Sequence, residues 1–223
     1  IIDNQGRRFP LIYSHSTFAF NELGLLKIAS GKSYTLEVKA KIDGVPLEAR
    51  TTTTVPFPGL RIDTSASLLG QMRYRERDAN DALKSFKLIF ERSPGTNFYA
   101  LALTALNADT STFVYDNPFE EFDPHDVLED LDNFKHRFSW IQDTPLEAGL
   151  SNMEIFWFDL WFYSDYQAVI YAGDRNFKDF LTTHDQVQEI DGNFHVPVLH
   201  IEGDGIGVFA SAVADTVYFT VTR

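Results

Sequence analysis

Ser33-Tyr34-Thr35-Leu36-Glu37-Val38-Lys39-Ala40-Lys41-Ile42, then Asp43-Gly44, then Val45-Pro46-Leu47-Glu48-Ala49-Arg50, is the stretch on which the fold turns. Tyr34, Leu36, Val38, Ala40 and Ile42 alternate with polar residues, the period-2 mark of a half-buried strand. Asp43-Gly44 suits the two positive-φ positions of a type I′ turn. Folding the chain there sets Ile42 against Val45, Ala40 against Leu47 and Val38 against Ala49 on one face. On the other face Lys39 meets Glu48 and Glu37 meets Arg50. Hydrophobicity and charge thus select one register, as cross-strand pairing requires. Pro46 faces Lys41 at a non-hydrogen-bonded pair, so the second strand should begin at a sheet edge.

Outward from this hairpin, Leu11–Phe20 and Leu25–Ile28 are short strand candidates. Pro56-Phe57-Pro58-Gly59 breaks the pattern and is the best domain boundary. The expected fold is therefore mainly β. Residues 1–56 read as an immunoglobulin-like antiparallel sandwich, possibly incomplete. Residues 60–223 read as a larger antiparallel β domain with one or two short helices.

In that larger part, Ser85–Glu91 and Phe98–Leu106 are strand candidates joined by Ser93-Pro94-Gly95, a hairpin signal. Asp123-Pro124 reads as an N-cap with proline at the first helical position. Val127, Leu128, Leu131 and Phe134 then share one face of a helix near 124–135. Ile155–Tyr166 carries apolar groups on both parities and reads as a central strand covered on both sides. A second helix is expected near 176–189, capped by Asp174 or Asn176, with Phe177, Phe180, Leu181, His184 and Val187 on its apolar face. Val217–Thr222 alternates as a closing strand.

The chain has 223 residues, 44% hydrophobic, enough for a substantial core. Twenty Phe and nine Tyr favour strands. A net charge of −13 repels phosphate backbones and anionic headgroups, so a nucleic-acid partner is not expected. Solubility accounts for most of that acidity. The lack of cysteine removes disulfides, thiolate metal sites and thiol catalysis. No apolar run reaches the roughly 18–20 residues that span a bilayer. The opening at Ile1-Ile2-Asp3 reads as a trimmed or processed start.

Candidate chemistry is sparse. Glu202-Gly203-Asp204-Gly205-Ile206-Gly207 lacks the third glycine and following helix of a dinucleotide site, and reads as a turn between strands. The acidic stretch 115–132 offers Asp123, Asp126 and Asp130 as calcium ligands, although a solvated helix N-terminus accounts for most of its acids. The histidines at 15, 125, 136, 184, 195 and 200 show no metal-ligand spacing. There is no serine nucleophile elbow. Trp157, Trp161 and Tyr163 share a strand parity, and their rings are candidates for stacking on sugars; core packing is the preferred reading, because so much apolar area costs solubility. No cofactor and no catalytic residue is expected.

Three segments carry a resemblance. Gly31-Lys32-Ser33-Tyr34-Thr35-Leu36 through Thr54-Val55-Pro56 is similar to a "GKTYTL…G…A…T.VP" element. Ser93-Pro94-Gly95-Thr96-Asn97-Phe98-Tyr99 resembles a strand–turn–"NYY" element. Phe177–Gln188 with Ile201–Phe209 resembles a closing helix and an "I.GG.GVF" turn. The elements resembled are those of a family of Bacteroidota outer-membrane or surface lipoproteins of unknown function, encoded beside TonB-dependent receptors. Two departures stand out: the lipid-bearing cysteine is absent, and Asp204 stands where the family often has glycine. The resemblance implies a non-enzymatic accessory or binding protein of the cell envelope, on the outer-membrane surface or extracellular, lipid-anchored and partnered with a receptor. Two alternatives accompany it. One is a structural subunit that self-assembles by strand addition to an incomplete N-terminal sheet. The other is a glycan-binding module.

Overall fold

The computed structural model describes residues 1–14, 16–19, 25–119, 121–184 and 197–223. In chain order its elements begin with β1 (Ile12–Ser14), β2 (Thr17–Ala19), β3 (Ser33–Ile42), β4 (Val45–Thr54), β5 (Arg61–Ile62) and β6 (Gln71–Arg73). They continue with β7 (Phe86–Glu91), β8 (Phe98–Ala105), α1 (Pro124–Glu129), α2 (Leu131–Phe134), β9 (His136–Gln142) and β10 (Leu150–Ile155). A 3-10 turn at Trp157–Asp159, β11 (Asp165–Gly173), α3 (Arg175–His184), β12 (Ile201–Gly203) and β13 (Ala212–Thr222) complete them. The described residues are mainly β, with antiparallel sheets and three short helices.

Two compact units divide the chain. One contains residues 1–58 and 173–213, the other 59–172 and 214–223. The first division falls between Pro58 and Gly59. The stretch 60–223 is split, however, because α3, β12 and their flanks pack with the N-terminal residues. A local breaker such as Pro58-Gly59 marks where the chain leaves a unit, whereas its return at residue 173 depends on long-range pairing.

In the first unit, β12, β4 and β3 form a three-stranded sheet in that order, and β1 and β2 form a separate two-stranded ribbon. The β3–β4 register runs from Ser33↔Thr54 to Ile42↔Val45 and includes all the cross-strand pairs expected from the sequence. Asp43 and Gly44 have φ of 50° and 85°, the left-handed conformations that a two-residue turn requires. Tyr34, Thr53, Val55 and Asn176 are buried here. Leu25 and Ile28 are exposed and lie in no strand. That loop's backbone is satisfied instead by the Tyr34 hydroxyl, which donates to the Lys27 carbonyl and accepts from the Ala29 N–H, each at 2.9 Å. Within Leu11–Phe20 the strand breaks into the short β1–β2 ribbon, and Phe20 lies outside the described residues.

In the second unit a three-stranded sheet, order β10-β7-β5, accompanies a five-stranded sheet, order β6-β13-β11-β8-β9. All the registers described in it are antiparallel except that of β6 with β13. Phe86, Leu88 and Phe90 alternate into the core from β7, and Tyr99, Leu101 and Leu103 do so from β8. Phe86 and Phe219 rings lie 4.2 Å apart and Phe90 and Tyr99 rings 5.0 Å apart, joining the two sheets face to face. β7 and β8 are therefore not the hairpin that Ser93-Pro94-Gly95 suggested. The turn carries the chain from one sheet to the other, held by the Tyr99 hydroxyl against the Ser93 backbone.

The helix near 124–135 is two pieces broken at Asp130. Val127 is buried, but Leu128 is 60% exposed and departs from the expected apolar face. Ile155–Tyr166 is not a central strand. β10 ends at Ile155, the 3-10 turn follows, and β11 starts at Asp165. Apolar groups on both parities arose there from tight turns that bury Leu160 and Phe162 from an irregular backbone. α3 ends at His184 among the described residues, and Val187 with the rest of 185–189 lies outside them.

Candidate functional site: the open edge of β3

The two sides of the β3–β4 hairpin are treated differently. Because Ile42 and Val45 flank a two-residue turn, they form a hydrogen-bonded pair, and alternate pairs do so along the ladder. On β4 the groups of Pro46, Glu48 and Arg50 therefore point away from β3, and those of Glu48 and Arg50 meet residues 202–204. Pro46 has no N–H to offer. The Glu48 carbonyl accepts the Asp204 N–H at 2.8 Å, and the Glu48 N–H donates to Asp204 Oδ2 at 3.1 Å. Arg50 faces Glu202 across the β12–β4 ladder.

Gly203 makes that closure possible. Its φ is 95°, and a Cβ there would lie 2.1 Å from the Glu48 carbonyl oxygen. Gly205 would set a Cβ 2.6 Å from that of Ala49. The glycine-rich segment thus covers a sheet edge at close range, which is its structural purpose.

On β3 the outward groups belong to Thr35, Glu37, Lys39 and Lys41. Thr35 is taken, since Ile2 N–H donates to its carbonyl at 2.8 Å and its N–H donates to the Ile2 carbonyl at 2.9 Å. Beyond it, among the described residues, no backbone group pairs with the outer side of Glu37, Lys39 or Lys41. Such an edge is a template for another strand.

The side chains around it are suited to holding one. A groove of about 810 Å³ runs against the same residues, lined by Ile2, Phe9, Leu11, Phe18, Leu36 and Val38, with Arg8, Glu37 and Lys39. Val38, Ile42 and Val45 are each about half exposed on the apolar face of the hairpin. The charges are already paired within the chain. Arg8 Nη1 lies 2.6 Å from Glu37 Oε2, and Lys39 Nζ lies 2.6 Å from Glu48 Oε1. The Arg8 hydrogen bond holds the Glu37 carboxyl below the usual range, and Glu48 pushes the Lys39 ammonium up.

No protein-family model, curated protein or solved structure matches the chain.

The residues singled out for sugar stacking lie elsewhere and are occupied. Phe119 stacks on Trp157 at 5.5 Å, Arg75 sits 5.4 Å from the same ring, and Tyr74 meets it edge-on. Trp161 is set among Phe113, Phe122 and Phe134, with Arg137 over it. Tyr163 donates to Asp116 Oδ1 at 3.1 Å and packs edge-on to Tyr74. Burial pushes the Tyr74 phenol up to about 12 and raises that of Tyr163. The shared strand parity of the three is lost with the strand.

Nor do the calcium candidates converge. Asp123 accepts the His125 N–H at 2.7 Å as the cap of α1, and Asp130 Oδ1 accepts from Asn133 Nδ2 at 3.2 Å. Among the described residues no group of three His, Asp or Glu side chains is placed to hold a metal ion. His200 pairs with Asp179 at 2.7 Å, His136 with Thr104 at 3.2 Å, and His184 packs on Phe180. His15 and His195 lie outside the described residues, as does Glu120 of the acidic stretch.

Arg8, Phe9 and Phe18 escaped sequence reasoning. They follow no period, and only the fold brings them beside β3. Pro46 was the legible signal, because a proline at that parity says which strand forgoes a neighbour.

Proposed function

We propose that the protein is a non-enzymatic binding module of the cell surface that holds an extended polypeptide segment along β3, beside an outer-membrane receptor. One observation carries this reading: β4 is covered through Pro46 and Asp204, whereas among the described residues β3 is open at Glu37, Lys39 and Lys41 beside an apolar groove. Strand addition draws affinity from backbone hydrogen bonds and selectivity from alternate side chains. Lys39 and Lys41 deter indiscriminate pairing, and a strand with acids opposite them is favoured. The family resemblance of residues 31–56 and 201–209 supports the envelope setting. The pairing of Glu37 with Arg8 and of Lys39 with Glu48 supports a binding rather than a catalytic role for the groove.

Co-purification from native membranes tests the proposal. The wild-type chain is expected to bring down an envelope protein that Lys39→Pro does not. That proline removes an outward N–H and leaves the β3–β4 ladder its bonds. Recovery of the wild-type chain free of any partner, or equal capture by Lys39→Pro, overturns the reading.

A further inference from the structure

The open positions on β3 are symmetric about Lys39, and this selects a particular strand. We infer that the edge pairs with the same edge of a second copy of this chain, antiparallel, with the two-fold axis at Lys39. The inference rests on the reading of β3 as a strand-accepting edge and names the strand that it takes.

In this register Glu37 faces Lys41 of the second copy, Lys39 faces Lys39, and Lys41 faces Glu37. All three open positions on each chain become hydrogen-bonded pairs of the antiparallel kind. Both ends join opposite charges. The central lysines are each neutralised within their own chain, since Lys39 lies 2.6 Å from Glu48. On the apolar face Val38 meets Ala40 and Leu36 meets Ile42. Those contacts cover Val38 and Ile42, which are 48% and 59% exposed. The Ile42 side chain of the second copy arrives beside Leu36, one of the residues lining the groove.

The neighbouring registers fail for stated reasons. An axis at Val38 sets Lys41 against Thr35, whose backbone groups Ile2 already occupies. An axis at Ala40 sets Lys39 against Lys41 twice, so that like charges lie directly opposite. A shift by one residue turns the apolar face of one strand against the ionic face of the other. The Lys39 axis alone engages every open group; its one like-charged pair, Lys39 with Lys39, is offset in each chain by Glu48, whereas no acid of the chain pairs with Lys41 among the described residues. It gives the self-complementary patch of a two-fold dimer. Self-pairing also closes the edge against aggregation, so a partner's segment competes with the second copy for the same place.

Sedimentation of the full chain from about 1 µM to about 500 µM tests this. The wild type is expected to pass from monomer to dimer with rising concentration, and Lys39→Pro to remain monomeric. Glu37→Lys and Lys41→Glu each set like charges opposite at both ends and should each weaken association about tenfold. Mixing those two variants puts opposite charges at both ends again and should restore the dimer. Circular dichroism checks that each variant keeps its fold. A wild type that stays monomeric throughout, a dimer indifferent to Lys39→Pro, or a mixture no stronger than its components overturns the inference. Should the wild type stay monomeric while Lys39→Pro still abolishes capture from membranes, self-pairing falls and the strand-accepting edge stands. If Lys39→Pro alters neither, both fall.

Discussion

Asn176 Nδ2 donates at 2.8 Å to the Thr52 carbonyl and at 2.8 Å to the Phe209 carbonyl. One buried amide thereby ties α3 to β4 and to the segment that follows the glycine turn. Asp174 completes the joint. Its Oδ1 accepts the Phe177 N–H at 2.9 Å as the helix cap, while its other oxygen accepts from the Thr53 hydroxyl and the Thr54 N–H. This joint anchors the chain beside the segment that covers β4, while among the described residues the outer side of β3 beyond Thr35 is left open.

Asn176→Ala leaves two carbonyls without their donor. With each lost bond worth about 1 kcal/mol and a further penalty for the unpaired acceptors, the variant should lose about 3 kcal/mol. Urea titration measures it. A loss below about 1 kcal/mol means the joint contributes little.

Gly203→Ala should be among the costliest changes at any glycine. The new Cβ would meet the Glu48 carbonyl oxygen at 2.1 Å, and a φ of 95° is unfavourable for alanine in any case. We expect at least about 2 kcal/mol of lost stability. Hydrogen exchange at the Glu48 amide should also accelerate, because β12 no longer seats against β4. Gly44→Ala meets no neighbour, so only the positive φ of 85° opposes it, and its loss should be smaller.

Trp161→Ala removes the centre of a ring cluster with Phe113, Phe122 and Phe134. A half-buried indole should cost about 2 kcal/mol. Binding along β3 should be unaffected, since Trp161 lines no part of that groove. A large fall in binding at unchanged stability would restore the case for an aromatic ligand site.

Acid should disrupt the edge late. The Arg8 hydrogen bond depresses the Glu37 carboxyl in the folded chain, so its contribution is complete above the unfolded range near pH 4.3. It is lost as pH falls through the lower folded value. Self-association should therefore hold down through the range in which an ordinary glutamate titrates and decline only below it. Arg8→Ala should move that decline to higher pH. Sedimentation across pH reads both, and an unchanged profile in Arg8→Ala removes Arg8 from the account.

How much could be read beforehand differs from segment to segment. The β3–β4 register was fully legible because Ile42/Val45, Lys39/Glu48 and Asp43-Gly44 are neighbours across a two-residue turn. Local alternation and local turn chemistry suffice at such separations. The Asp123 cap and Pro124 at the start of α1 were legible for the same reason. Ile155–Tyr166 misled, since a run of aromatic residues says that area is buried but not along which backbone. Here the 3-10 turn at Trp157–Asp159 and the turn before Asp165 did the burying. Ser93-Pro94-Gly95 misled in another way: a turn signal reports a change of direction and leaves open whether the next strand returns to the same sheet.

The amino-acid sequence by itself determined a β-rich chain, a ribbon with one apolar and one ionic face, and a break after Val55. Each rests on residues within reach of one another along the backbone. Tertiary structure alone decided which edge of that ribbon is covered. Asp204 and Glu48 are 156 residues apart, and the same β4 strand is tied to α3 by Asn176 and Asp174. Backbone groups are the same in every residue, so a sequence cannot display which of them go unpaired; only the packing of distant segments leaves Glu37, Lys39 and Lys41 open among the described residues.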